Sequence, residues 1–289
     1  MNLGVSTACF YPLETELSLE KIGKAGVKHT EIFFNALCEL KQSFVDMLLD
    51  IKDEYGIKVV SLHPTMSLAE SFMIFSAYDR RYHEAEEQYK RYSEIAAQLG
   101  AEYIIMHGGK PNGILSDEEY CERYMRLNET TLENGVRILQ ENVVSFRAGD
   151  IEFMRSMKNI LGDDAAFCLD IKQSLRCGYD PFDLIREFYD NIKHFHISDH
   201  STASDCLLPL DGGFEFGRFF DLLKCNSYDG SCIIEVYRDS YKEYEEIFSS
   251  YNRLAKVKSK SRKTKIFFQK VSSGFGDVSF KERSGRFKA

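Results

Sequence analysis

"KHFHISDH", residues 193–200, carries three of the seven histidines in this 289-residue chain. His194, Phe195, His196 and Ile197 alternate, which puts both early histidines on one side of a strand. Asp199 and His200 fall where that strand should end. The stretch reads equally well as a core strand rich in histidine or as one wall of a metal site. What reaches the same place from elsewhere in the chain decides between them.

Seven similar apolar runs surround it: "LGVSTA" (3–8), "HTEIFF" (29–34), "IKVVSLH" (57–63), "AEYIIMH" (101–107), "VRILQEN" (136–142), "AAFCLD" (165–170) and "SCIIEVY" (231–237). Amphipathic segments lie between them. In "HEAEEQYKRYSEIAAQLG" (83–100), Tyr89, Tyr92, Ile95, Ala96 and Leu99 share a face and Gly100 closes the helix. "SLEKIGKAG" (18–26) opens on a Ser cap, and "DPFDLIREFY" (180–189) has Pro after an Asp cap. A last helix is expected over 239–255. Strand and helix alternating in this way call for parallel strands with crossover helices, and eight such units predict an α/β fold, a closed (β/α)8 TIM barrel. The competing doubly wound sheet would carry a glycine-rich first turn, and "GVSTACFYP" has no G-x-G-x-x-G. The expected organisation is one barrel domain over 1–255 and a basic tail over 256–289, dispensable for folding.

Composition narrows the function classes. The net charge is −8, yet from Lys256 onward eleven Lys and Arg face two acids, so the body is more acidic than the whole. An acidic body argues against a nucleic-acid partner. No run approaches the roughly 20 apolar residues of a membrane span, and the opening "MNLGVSTACFYP" is not expected to be a signal peptide. The eight cysteines include no C-x-x-C pair and several sit in apolar runs, as buried small hydrophobes in a reducing, cytoplasmic setting do.

Active sites of such barrels form at the C-terminal strand ends. The third strand ends at His63, the fourth at His107, the fifth at Glu141, the sixth at Asp170 and the seventh at His196, and the eighth carries Glu235. Each has an ordinary explanation alone, as a core histidine or a helix cap. Together, Glu141, Asp170 and Glu235 in one cup would repel one another and lose hydration at several kcal/mol each, unless a cation sits among them. His196 completes four ligands for a divalent ion, manganese, magnesium or cobalt, with zinc also admissible. His194 then packs one layer lower. Lys172 stands where it would meet a carboxylate, a phosphate or a developing enolate oxygen, and reads equally as a solvated loop lysine. The glycine turns "MHGGKPNG" (106–113) and "DGGF" (211–214) are candidate phosphate cradles.

With these residues placed, the chain resembles the xylose isomerase-like barrel superfamily, in particular its sugar phosphate isomerases and epimerases. The carriers are "SLHP", "MHGG", "QENVVSF", "LDIKQ", "HISD", "LPLDGG" and "IIEVY", one at each strand end in this order over about residues 1–255. The resemblance implies one divalent metal on Glu141, Asp170, His196 and Glu235, the two glutamates as acid–base pair, and His63 and His107 lining the substrate pocket or adding ligands. Related zinc-dependent apurinic-site endonucleases have a His where Gln173 stands, and an Asp-x-His pair where Asp205, Cys206 and Leu207 stand. A three-metal phosphodiesterase centre is therefore not expected. The implied activity is isomerisation or epimerisation of a ketose, inosose or related sugar, free or phosphorylated, by proton transfer through an enediolate. Dehydration of an inosose, metal-dependent phosphodiester hydrolysis and a silent ligand-binding barrel are the alternatives. The expected partner is a small sugar, and a homo-oligomer is compatible with the sequence.

Overall fold

Short β-branched and apolar runs form the strands β1 (Asn2–Ser6), β2 (His29–Phe33), β3 (Lys58–His63), β4 (Tyr103–Met106), β5 (Arg137–Glu141), β6 (Phe167–Asp170), β7 (Ile192–Ile197) and β8 (Ser231–Ile234). In the computed structural model, which describes residues 1–65 and 69–261, they close in chain order into a barrel, all parallel, with β8 beside β1. The helices are α1 (Thr15–Lys24), α2 (Gln42–Tyr55), α3 (Glu70–Met73), α4 (Asp79–Leu99), α5 (Asp117–Leu132), α6 (Ile151–Leu161), α7 (Ile171–Arg176), α8 (Pro181–Phe188), α9 (Phe216–Cys225) and α10 (Tyr244–Lys260). The expected α/β barrel is the fold observed.

Alternation along the strands sorts the interior. Ile104 and Ile138 belong to the main core that the helices cover. Their neighbours Ile105 and Leu139 join Ala166 and Cys168 in a separate buried group. Polar residues also sit inside. Parallel register aligns Ser6 with Glu31 and Glu31 with Ser61, so one row of the barrel is polar. Another row aligns Glu141 with Cys168 and Cys168 with His194.

Helix ends follow local chemistry. Gly100 closes α4 at φ 79°, and the Tyr89, Tyr92, Ile95, Ala96 and Leu99 face is buried. Asp180 caps α8 through the Phe182 N–H at 2.8 Å, with Pro181 in the first turn. Ser18 is not a cap. α1 starts three residues earlier, and the Ser18 hydroxyl instead donates to the Glu14 carbonyl within the helix at 2.9 Å. α10 begins after a short turn at Arg238–Ser240 and runs to Lys260, five residues beyond the expected end. The Lys224 ammonium donates to the Ser261 carbonyl at 2.8 Å, which ties this end to α9. The rest of the expected tail lies outside the described residues. All eight cysteines are free thiols.

Candidate metal centre

The C-terminal strand ends bring the expected groups together. Glu141 closes β5, Asp170 closes β6, and His196 is the last residue but one of β7. Glu235 follows β8, its N–H continuing the ladder to the Ile197 carbonyl at 3.1 Å. One ligand atom from each of these four lies within 4.8 Å of the others. His63, at the end of β3, and His107, just past β4, join Glu141 in a second group of the same compactness. Glu141 is the shared member. Its Oε1 is 3.0 Å from His196 Nδ1, and its Oε2 is 3.2 Å from His107 Nε2 and 3.9 Å from His63 Nε2.

Beside them a cavity of about 370 Å³ opens, with His63, His107, Glu141, Lys172, Glu235 and Tyr237 in its wall. Lys172 is no solvated loop lysine. It is 1 % exposed, its Nζ 2.9 Å from Asp170 Oδ2 and 3.2 Å from Glu235 Oε2. His200 stays apart from this group and packs its ring against Phe214.

The donor set fits a divalent ion. Three carboxylates and one imidazole nitrogen are the hard-to-borderline ligands such ions take. The three carboxylates face the one ammonium of Lys172, an excess of negative charge that a dication offsets once His196 is neutral and ligating. Glu141, Asp170, His196 and Glu235 would hold it.

Electrostatics follow from burial and close partners. Burial alone raises the Glu141 carboxyl, but His196, His107 and His63 outweigh it and hold the group well below the usual range. Glu235 is likewise held low against burial by His196 and Lys172. Asp170 goes the other way, because burial and the Glu141 and Glu235 charges exceed the help from Lys172. Burial would lower His196, yet Cys168 and the carboxylates of Glu235, Glu31 and Glu141 hold it well above the usual histidine range.

Four residues that position this centre were not anticipated. Glu31, fully buried in β2, is 3.0 Å from His196 Nε2 and accepts from Ser61 Oγ at 2.7 Å and Ser6 Oγ at 3.2 Å. With Nε2 turned to Glu31, Nδ1 is the nitrogen left for the ligand group. His194 does lie below, fully buried, with Nε2 3.5 Å from the same Glu31 oxygen. Glu70 accepts from the Gly108 N–H at 2.7 Å and Tyr89 at 2.7 Å, fixing the turn after His107. Gln140 accepts from Tyr120 at 2.6 Å and donates to the His107 carbonyl at 2.9 Å. Asp199 collects the N–H groups of Leu210, Gly212 and Phe214 at 2.8–3.0 Å. A carboxylate inside the apolar run "HTEIFF" was the one signal available for Glu31.

The same contacts occupy amides of both candidate phosphate cradles. Gly108 N–H is taken by Glu70 and Gly109 N–H faces the Tyr120 hydroxyl; in the 211–214 turn Asp211 N–H goes to the Leu208 carbonyl, Gly213 N–H to the His200 carbonyl, and Gly212 and Phe214 N–H to Asp199. Asp205 pairs with Arg176 at the surface, away from the carboxylate group.

A profile of the xylose isomerase-like TIM barrel family matches residues 19–258. The chain belongs to that family. Among xylose isomerase-like barrels it is similar to a D-tagatose 3-epimerase-like protein, with a TM-score of 0.73 and 20 % identity over 89 % of this chain and 97 % of that one. The zinc-bound IolI protein superposes with a TM-score of 0.71 at 20 % identity, covering 91 % of this chain and all of that one (100 %). In sequence, an uncharacterized protein of Mycobacterium leprae is 24 % identical over 271 residues, 85 % of this chain and 92 % of its own length. At these identities the solved structures support the fold of this family member and leave its chemistry to the site.

Proposed function

We propose that this protein is a divalent-metal-dependent isomerase or epimerase of a ketose or related sugar. The observation that carries the reading is the convergence of Glu141, Asp170, His196 and Glu235 on one point beside a sugar-sized cavity. The bound ion supplies a Lewis acid that draws electron density from a carbonyl and its neighbouring hydroxyl and so acidifies the C–H between them. Glu235, the more open of the two glutamates, takes that proton and leaves an enediolate. Protonation from the other face, on the Glu141 side of the pocket, inverts the centre; return of the proton to the neighbouring carbon isomerises. His63 and His107 line the pocket and hold Glu141 in place. The engaged amides of Gly108, Gly109 and the 211–214 turn favour an unphosphorylated substrate.

A second reading draws on the His63–His107–Glu141 group, which would let Glu141 bridge two ions in a dinuclear hydrolase. Metal stoichiometry separates the two. Protein loaded with manganese or zinc is expected to hold one ion per chain and to turn over a member of a ketose and inosose panel. In deuterium oxide the product should carry solvent deuterium on the carbon next to the carbonyl. Glu141→Gln and Glu235→Gln should each lose about 10²–10⁴-fold in kcat, with metal content measured beside rate. Two ions per chain, with cleavage of a phosphodiester and no sugar turnover, would replace the first reading by the second.

A further inference from the structure

We propose that Lys172 is a built-in cation of this centre: its ammonium shares the oxygens of Asp170 and Glu235 with the divalent ion and sets how tightly the ion is held. The inference rests on the metal-dependent reading above. Lysine is almost never fully buried unless it is paired. Lys172 is 1 % exposed and lies two residues past Asp170, inside the short helix α7. Its Nζ sits 2.9 Å from Asp170 Oδ2, 3.2 Å from Glu235 Oε2 and 4.7 Å from the Tyr237 ring centre.

The oxygens it touches are those an ion needs. Asp170 Oδ1 is committed as the cap of α7, accepting the Gln173 N–H at 3.1 Å. Oδ2 is the oxygen that remains, and the ammonium is on it. Glu235 Oε2 meets Lys172 on one side and lies 3.5 Å from His196 Nδ1 on the other. An ammonium and a dication crowded onto the same two carboxylates repel strongly in a buried site. The charge count nonetheless keeps both, because three carboxylates are neutralised by one ammonium and one dication together. The lysine therefore weakens ion binding and, when no ion is bound, relieves the repulsion among the carboxylates. An ion pair that merely fastens α7 to the end of β8 would do neither in this combination. It would stabilise the protein equally with and without ion, and its loss would not tighten binding.

The test compares full-length wild type, Lys172→Met and Lys172→Arg, each stripped with chelator and titrated calorimetrically with zinc alone and with manganese alone. Melting temperatures are read with and without saturating ion. Lys172→Met is expected to bind at least tenfold more tightly than wild type. It should melt lower than wild type when stripped and recover most of that difference when loaded. Lys172→Arg, which keeps the charge, should bind no more tightly than wild type. Equal or weaker binding by Lys172→Met, with wild type still binding, overturns this inference and leaves the metal-dependent reading intact. Binding by neither protein overturns both. Binding by Lys172→Met alone would show that the ammonium replaces the ion instead of sharing its oxygens, and overturns both. If stripped Lys172→Met fails to fold, its rescue by zinc supports the shared-charge role. Failure to fold in saturating zinc overturns it, since the lysine would then be a fold-holding ion pair.

Discussion

One carboxylate that touches no substrate decides how the candidate centre is oriented. Glu31 holds His196 by Nε2 and is itself held by Ser6 and Ser61. Partners of this kind fix the ring and its tautomer, and losing one commonly costs 10–100-fold in metal affinity. Glu31→Gln is therefore expected to weaken zinc or manganese binding by about that factor in a calorimetric titration. Equal affinity would show that packing alone orients His196. At this scale the sequence was legible where chemistry sits at strand ends: Glu141, Asp170, His196 and Glu235 all reach the same group. It was opaque where a charged residue sits in mid-strand. "HTEIFF" does not say which way Glu31 points, and only closure of the barrel turns it inward onto a histidine of β7. Lys172 was ambiguous for a related reason, because its burial depends on where α7 lies rather than on its neighbours in sequence.

Among the elements, the turn after β4 is tightly specified. Gly108 has φ 87°, where a side chain is strained, and a Cβ there would collide with the Tyr120 hydroxyl that bonds Gln140. Gly108→Ala is expected to destabilise the protein by about 1–3 kcal/mol in urea denaturation and to displace His107 from Glu141. A change within error would mean that the turn relaxes without cost. Amphipathic spacing and glycine ends located α4, and an Asp-Pro pair located α8, because both signals act locally. The start of α1 was misread since a serine before an apolar run resembles a cap, whereas the chain reaches helical geometry already at Thr15. The glycine turns were read as anion sites for their backbone freedom. Their amides are consumed by Glu70, Tyr120 and Asp199, residues whose approach is tertiary.

For the whole molecule, closure of eight strands was readable because the alternation repeats so regularly, while the end of the fold was not. α10 carries buried Leu254 and the core-packed Val257, and its last residues meet Lys224. A chain ending at Ser261 is expected to keep the full-length melting temperature, whereas one ending at Leu254 should melt several degrees lower, as the loss of about 1–2 kcal/mol implies. Equal melting of both would make the last turn of α10 ornamental. The loop between β7 and α9 has a different consequence for the barrel. Asp199 gathers its amides onto one side chain, so that segment of the rim behaves as a stiff wall rather than a hinge. The wall of the cavity draws on no residue of that segment, and the exposed rings of Tyr11 and Tyr237 border its mouth instead. Under the proposed function, libraries that randomise Tyr11 and Tyr237 are expected to change which ligands bind, whereas libraries that randomise 199–214 should yield unfolded rims instead of new specificities.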